Sequence, residues 1–150
     1  CGGSLISPTK ILTAAHCVVD GNAALFQVKL GMHFLNATAN DAQLSRNVIK
    51  IKMHEEYDRV EVHNDIAILT LSSPVEYTDT ISPVCLVPSC LNDDSGQAVI
   101  AMGWGDTTDG GSNSDYLRHA QLSTVPPSKC SRKWGGGIDS TRMLCAYKEG

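Results

Sequence analysis

Hydrophobic and polar residues alternate in short runs along this chain, and Gly, Pro, Asn or Asp bound the runs. Alternation with a period of two places the apolar side chains on one face of a β-strand. Many short strands separated by turn residues are typical of a sandwich or barrel, so the pattern predicts an all-β fold. The predicted strands span residues 3–7, 10–14, 26–30, 48–53, 65–71, 98–103, 120–125 and 142–147, with a helical turn at 128–133.

The fourth predicted strand carries alternating side chains of opposite character. Ile49, Ile51 and Met53 fall on one face of it. Lys50 and Lys52 take the other face, which we expect to contact solvent because successive side chains of a strand point in opposite directions.

A change of composition divides the chain. Residues 82–97 are rich in Pro, Asn, Asp, Ser and Gly, which is the composition of a loop or linker. The stretch DTTDGGSNSD, residues 106–115, predicts a second polar loop, and no repeat of solenoid type is present. We therefore expect one folded part at 1–81, a linker at 82–98 and a second folded part at 99–150.

Charge and hydropathy exclude two classes of partner. The chain has 12 Lys and Arg against 16 Asp and Glu, a formal net charge of −4. Because this balance gives no basic footprint, neither a nucleic acid nor an anionic membrane surface is expected. The longest apolar runs are too short or too interrupted to cross a bilayer.

The cysteines indicate the compartment. Six occur in 150 residues without a paired Cys-x-x-Cys motif, which fits a disulfide-bonded secreted protein better than a cytosolic one. Asn36-Ala37-Thr38 is an N-glycosylation acceptor and points the same way. We expect an extracellular protein that is glycosylated at Asn36.

The histidines show no metal-binding pattern. No two of them have the i, i+4 helical spacing of a zinc protease, and no closed Cys/His set is present. The sequence therefore predicts no metal and no cofactor. The histidines are His16, His33, His54, His63 and His119.

Two segments suggest acid–base chemistry instead. A neutral imidazole such as that of His16, in TAAHC, accepts a proton near neutral pH, provided that an acceptor on the other nitrogen fixes its tautomer. Asp65, in HNDIAIL, is a lone acid before an apolar run. Each has a simpler interpretation, since an Asp before a strand is usually a turn residue or cap, and a His beside a Cys can be a core residue.

Six segments occur in the order found in the chymotrypsin-like (trypsin-fold) serine endopeptidases: CGGSLIS, ILTAAHC, HNDIAIL, PVCL, GWG and MLCA. The chain resembles that family over nearly its whole length. The resemblance implies two antiparallel β-barrels, the first nearly complete at 1–81 and the second partial at 99–150. It also implies that His16 is the general base, that Asp65 orients it, and that the substrates are proteins or peptides.

The resemblance places the nucleophile outside this sequence. The family's Gly-Asp-Ser-Gly-Gly motif should follow MLCA by roughly a dozen residues, whereas the chain stops at Gly150. The chain also starts at Cys1 with no methionine or signal peptide, so we expect an internal fragment that is inactive by itself. The tripeptide Asp94-Ser95-Gly96 lacks the flanking glycines and is interpreted as a solvated turn.

The resemblance also assigns the cysteines. It implies two disulfides, Cys1–Cys17 and Cys130–Cys145, each of which would contribute about 3 kcal/mol in the chain-entropy model.

The other two cysteines are less defined. Cys85 matches a cysteine that often bonds to a propeptide or light chain, and Cys90 lies near one that can bond to a C-terminal partner. A bond between Cys85 and Cys90 is the remaining option.

Two functions of different classes fit these observations. The first is a serine endopeptidase that hydrolyses peptide bonds through a Ser-His-Asp triad. The alternative is a non-catalytic homologue that binds a partner through the same barrels. The presence of both His16 and Asp65 favours the enzyme, because a binding protein needs neither.

Overall fold

Five antiparallel strands form the sheet of the first unit of the chain, Cys1–Leu86, in the order β1-β2-β5-β4-β3. Two short 3₁₀ helices, Ala15–Val18 and Ala23–Leu25, lie between β2 and β3 along the chain. The strands are β1 (Ser4–Ser7), β2 (Lys10–Thr13), β3 (Gln27–Leu30), β4 (Leu44–Met53) and β5 (Ala67–Leu71). This computed structural model describes residues 1–35, 41–87, 96–108, 110–136, 138–139 and 142–148.

The second unit, Val87–Gly150, contains a three-stranded antiparallel sheet in the order β6-β7-β8. Its elements are β6 (Ala98–Gly103), β7 (Arg118–Val125), the helix α1 (Pro127–Trp134) and β8 (Cys145–Tyr147). Within the described ranges, no helix has the length and apolar character needed to cross a membrane. The two antiparallel sheets confirm the prediction of an all-β fold.

The division between the two units falls after Leu86, inside the segment 82–98 that the sequence predicts to be a linker. The exact limits of the two predicted parts, 1–81 and 99–150, stay a prediction.

Apolar side chains from all five strands fill the core of the first unit. Burial of such side chains supplies most of the driving force for folding, about 1.5–3 kcal/mol for each large one. Two of the larger side chains, Val18 and Leu71, are only 2% exposed. The buried cluster consists of Leu5, Ile11, Ala15, Val18, Leu30, Val48, Ala67, Leu69, Leu71, Val75 and Ile81.

The prediction that Ile49 lies on the same face of β4 as Ile51 and Met53 was wrong. That side chain is 62% exposed, whereas its neighbour Val48 is 4% exposed and belongs to the core. The register between β4 and β5 shifts between Val48 and Lys50. A bulge of this kind inserts one extra residue into a strand, so the side chains on its two sides no longer alternate regularly. Lys50 and Lys52 are exposed, as predicted.

Several strand boundaries differ from the prediction, three of them in ways that affect the register or the site. β4 begins at Leu44 rather than at residue 48, and β8 begins at Cys145 rather than at residue 142. β5 begins at Ala67, so Asp65 precedes the strand instead of opening it. The last difference matters for the site, because the direction of the Asp65 side chain is then set by a turn and not by the strand.

Candidate active site

The register of two neighbouring strands brings His16 and Asp65 together. Thr13, the last residue of β2, pairs with Ala67, the first residue of β5. Because the strands are antiparallel, the chain leaving β2 and the chain entering β5 meet at the same end of the sheet. His16 lies in the 3₁₀ helix Ala15–Val18, which follows β2, and its ring contacts Asp65, which precedes β5.

Both oxygens of the Asp65 carboxylate bind His16. Oδ2 of Asp65 lies 2.6 Å from Nδ1 of the His16 ring. Oδ1 accepts a hydrogen bond from the backbone N–H of His16 at 2.8 Å. These two contacts fix the carboxylate relative to both the ring and the backbone of the same residue.

The environment of Asp65 keeps its carboxyl group ionised. Partial burial raises the pKa of Asp65. Against this, hydrogen bonds from the ring and backbone of His16, the attraction of the His16 charge and the backbone N–H of Ala15 hold the pKa below its ordinary value. Ala15 is fully buried, and its small side chain lets the backbone approach the carboxylate.

The ionised carboxylate determines the tautomer of the His16 ring. A carboxylate only accepts hydrogen bonds, so Nδ1 must carry the proton that lies between the ring and Asp65. In the neutral ring Nε2 is then the acceptor. This is the arrangement that a general base requires.

The side chain of His16 is largely exposed to solvent. The side chain of His16 is 58% exposed, whereas that of Asp65 is 20% exposed. Sγ of Cys17 lies 3.5 Å from Nε2. Because this sulfur is bonded to Cys1, it has no hydrogen to donate and leaves the Nε2 lone pair available.

The structure contains both disulfides that the resemblance implied. Cys1 and Cys17 are bonded with Cα atoms 6.0 Å apart, and Cys130 and Cys145 with Cα atoms 6.3 Å apart. Cys85 is an exposed free thiol.

Among the described residues, three side chains that can bind a metal, Cys1, His16 and Cys17, have ligand atoms within 4.8 Å of one another. This group does not fit a zinc site, because zinc binds thiolates and both sulfurs are joined in a disulfide.

A tight loop before Asp65 was not identified from the sequence. Oδ1 of Asp58 accepts hydrogen bonds from the backbone N–H groups of Val60 and Glu61, which lower the pKa of Asp58. Val62 and Asn64 have positive φ angles of 55° and 54°. The only signal for this in the sequence was the pair Asn64-Asp65, since Asn tolerates the left-handed region.

Several predicted residues lie outside the described residues. They are the glycosylation site Asn36, the cysteine Cys90, and Asp94 and Ser95 of the predicted turn. The assignments of these residues stay predictions.

Comparison with known families gives a match over the full length of the chain. Residues 1–150 match the family model described as Trypsin. The chain belongs to the trypsin family. The resemblance seen in the sequence is therefore confirmed.

Relatives of this trypsin-family chain come from several animals. It is 35% identical to "Proclotting enzyme" of Tachypleus tridentatus, over 97% of the chain and 42% of the relative. It is 33% identical to "Serine protease 1" of Rattus norvegicus, over 100% of the chain and 58% of the relative. It is 32% identical to "Trypsin, alkaline B" of Manduca sexta, over 97% and 56%. The chain thus spans between 42% and 58% of the length of these relatives.

A solved structure shares the fold. The chain superposes on the structure of GrC with a TM-score of 0.84 and 26% sequence identity, over 99% of this chain and 63% of the other. The fold class predicted from the family resemblance, the trypsin-like double β-barrel, is confirmed.

Proposed function

We propose that the full-length protein is a serine endopeptidase in which His16 is the general base and Asp65 orients it. The distance of 2.6 Å between Nδ1 of His16 and Oδ2 of Asp65 is the observation that carries the proposal. Membership of the trypsin family and relatives named as proteases support it. The nucleophilic serine and the oxyanion donors would come from polypeptide outside these 150 residues.

The first half of the reaction follows from the tautomer of His16. Nε2 accepts the proton of the serine hydroxyl while the serine oxygen attacks the carbonyl carbon of the substrate peptide. The ring becomes an imidazolium, and the carboxylate of Asp65 stabilises its positive charge. Because Nδ1 is already bonded to Oδ2, the ring does not have to reorient as it gains the proton.

In the remaining steps the His16 ring gives its proton to the leaving amine, and later a second proton to the serine oxygen. The His16 imidazolium donates from Nε2 to the nitrogen of the leaving amine, the C–N bond breaks, and an ester to the serine remains. The neutral ring then takes a proton from water, and the resulting hydroxide oxygen attacks the ester. His16 gives this proton to the serine oxygen as the carboxylic acid product leaves.

The test of the proposal is the sequence and activity of the full-length protein. We expect Gly-Asp-Ser-Gly-Gly after residue 150, and hydrolysis of peptide bonds by the purified protein. Its serine→Ala variant is the matched control and should be inactive. A different residue in place of the serine, with no hydrolysis, would instead support the non-catalytic homologue that binds a partner.

Further features of the chain support an extracellular protein with an additional covalent partner. The two disulfides suit an oxidising compartment, and one relative, of Apis mellifera, is named "Venom serine protease 34". The exposed thiol of Cys85 is available to bond to a propeptide or light chain. Non-reducing electrophoresis of the secreted protein should show a species that the variant Cys85→Ser lacks.

A further inference from the structure

Asn64, which directly precedes Asp65, makes a side-chain hydrogen bond across the base of the neighbouring loop. Its Nδ2 donates to the backbone carbonyl of Glu56 at 2.8 Å. Its backbone φ angle of 54° lies in the left-handed region, which Asn adopts more readily than most residues. The side chain therefore ties the residue before the carboxylate to the segment that follows β4.

This bond extends the ladder between β4 and β5 beyond its last backbone pair. The ladder ends at Met53 and Ala67, and the backbone N–H of His54 then donates to the carbonyl of Ile66 at 3.0 Å. The Asn64 amide supplies the next bond across the two segments. Further into the loop, the backbone N–H of Asp58 donates to the carbonyl of His63 at 3.0 Å. The Asn64 amide therefore supplies the bond across the two segments that lies nearest to Asp65 on the loop side.

A three-residue turn is centred on Asp65. The backbone N–H of Ile66 donates to the carbonyl of Asn64 at 2.8 Å. A turn this tight fixes the direction in which the side chain of its central residue leaves the backbone. Asp65 is thus held between two anchored residues, Ile66 on the strand side and Asn64 on the loop side.

We propose that Asn64 is a positioning residue for the candidate His16–Asp65 pair. This inference rests on the proposed protease function and adds to it a group that acts through Asp65. The Asp65 carboxylate meets the ring and the backbone of His16 at the same time. A small rotation of the Asp65 backbone would lengthen at least one of these bonds, and Asn64 prevents that rotation.

Substitution of Asn64 by glycine distinguishes the proposed role of its amide from a requirement for a positive φ angle at this position. Asn64→Gly keeps free access to positive φ and removes the side-chain bond to Glu56. If a left-handed residue is all that the turn needs, this variant behaves like the wild type. If the amide positions Asp65, it does not.

Asn22 offers a matched control in the same unit. Its side-chain Oδ1 accepts a hydrogen bond from the backbone N–H of Ala24 at 3.1 Å. Asn22→Ala therefore removes a local side-chain-to-backbone bond that has no contact with His16 or Asp65. It measures the effect of a comparable structural loss.

The experiment compares the full-length wild type, Asn64→Gly and Asn22→Ala by peptide hydrolysis and by proton NMR of the His16 Nδ1 hydrogen. A misplacement of 1 Å can cost about 100-fold in rate, so we expect a partial shift in Asn64→Gly to lower kcat about tenfold with KM changed less than about twofold. The Nδ1 resonance should move upfield and broaden. Asn22→Ala should match the wild type in both measurements.

Two results would overturn the inference: an unshifted Nδ1 resonance in Asn64→Gly, or a loss of kcat no larger than that of Asn22→Ala. A wild-type protein without hydrolytic activity would contradict the proposed function instead. In that case the NMR comparison alone decides the role of Asn64, because it reports the contact between His16 and Asp65 in the absence of turnover.

Discussion

Asp65 binds the ring of His16 through Oδ2 at 2.6 Å and its backbone N–H through Oδ1 at 2.8 Å, although the two residues are 49 positions apart in the chain. The antiparallel register of β2 and β5 creates this contact. Its chemical consequence is a fixed tautomer, with the proton on Nδ1 and the lone pair on Nε2.

Replacement of Asp65 by Asn should nearly abolish hydrolysis by the full-length protein. An amide of the same shape can donate to Nδ1 and so favour the wrong tautomer, which lowers kcat by about 10⁴-fold. Steady-state kinetics with a peptide substrate measure the loss. The exposed Asp20 gives the control, since Asp20→Asn should retain wild-type kcat. An Asp65→Asn protein of normal activity would show that the carboxylate does not orient the base.

The same substitution should change how stability depends on pH. Because the pKa of Asp65 is lowered in the folded protein, its ionised form stabilises the fold above the unfolded pKa of about 3.9, and this contribution is lost as the pH falls through the folded value. The difference in free energy of unfolding between wild type and Asp65→Asn should therefore shrink below about pH 4. Urea unfolding at several pH values measures it, and a difference independent of pH would contradict the assignment.

Local alternation of apolar and polar residues predicted the approximate positions of the strands, because this signal lies within each segment. Alternation located β6 at its observed limits, 98–103, and the segments around His16 and Asp65 indicated the pair. The contact between His16 and Asp65 was expected only from the family resemblance. The distance itself comes from the strand register, which no short segment encodes.

Long-range features account for what the sequence did not predict. The bulge at Val48 depends on how β4 pairs with β5, so it reversed the expected orientation of Ile49. Residues 142 and 143 lie in the predicted strand 142–147, but both backbone N–H groups donate to the carbonyl of Asp139 in a turn. The role of Asn64 was missed because an Asn before an Asp resembles any polar turn.

Paired substitutions at the bulge test the observed register. Val48→Ala should lower the free energy of unfolding by about 2 kcal/mol, because it removes buried methyl groups. Ile49→Ala should change it by less than about 0.5 kcal/mol, since that side chain is exposed. Denaturant unfolding measures both. The reverse order of effects would mean that Ile49, as simple alternation suggests, faces the core.

Removal of the disulfide beside the site should destabilise the protein. The double substitution of Cys1 and Cys17 by Ala opens a loop of 16 residues and should cost about 3 kcal/mol in the chain-entropy model. Cys85→Ala alters an exposed side chain that forms no disulfide within the described residues, and it should cost less than about 0.5 kcal/mol. Thermal and urea unfolding of the two proteins provide the comparison, and equal stabilities would show that the bond does not constrain the chain.

Labelling by a fluorophosphonate tests the central claim most directly, because the reagent reacts only with a serine that a base has activated. The full-length wild type and the control His119→Ala, altered at an exposed histidine of β7, should both label. His16→Ala should not. Labelling that survives in His16→Ala would contradict the role of His16 as the base, and a wild type that does not label would contradict the proposed protease.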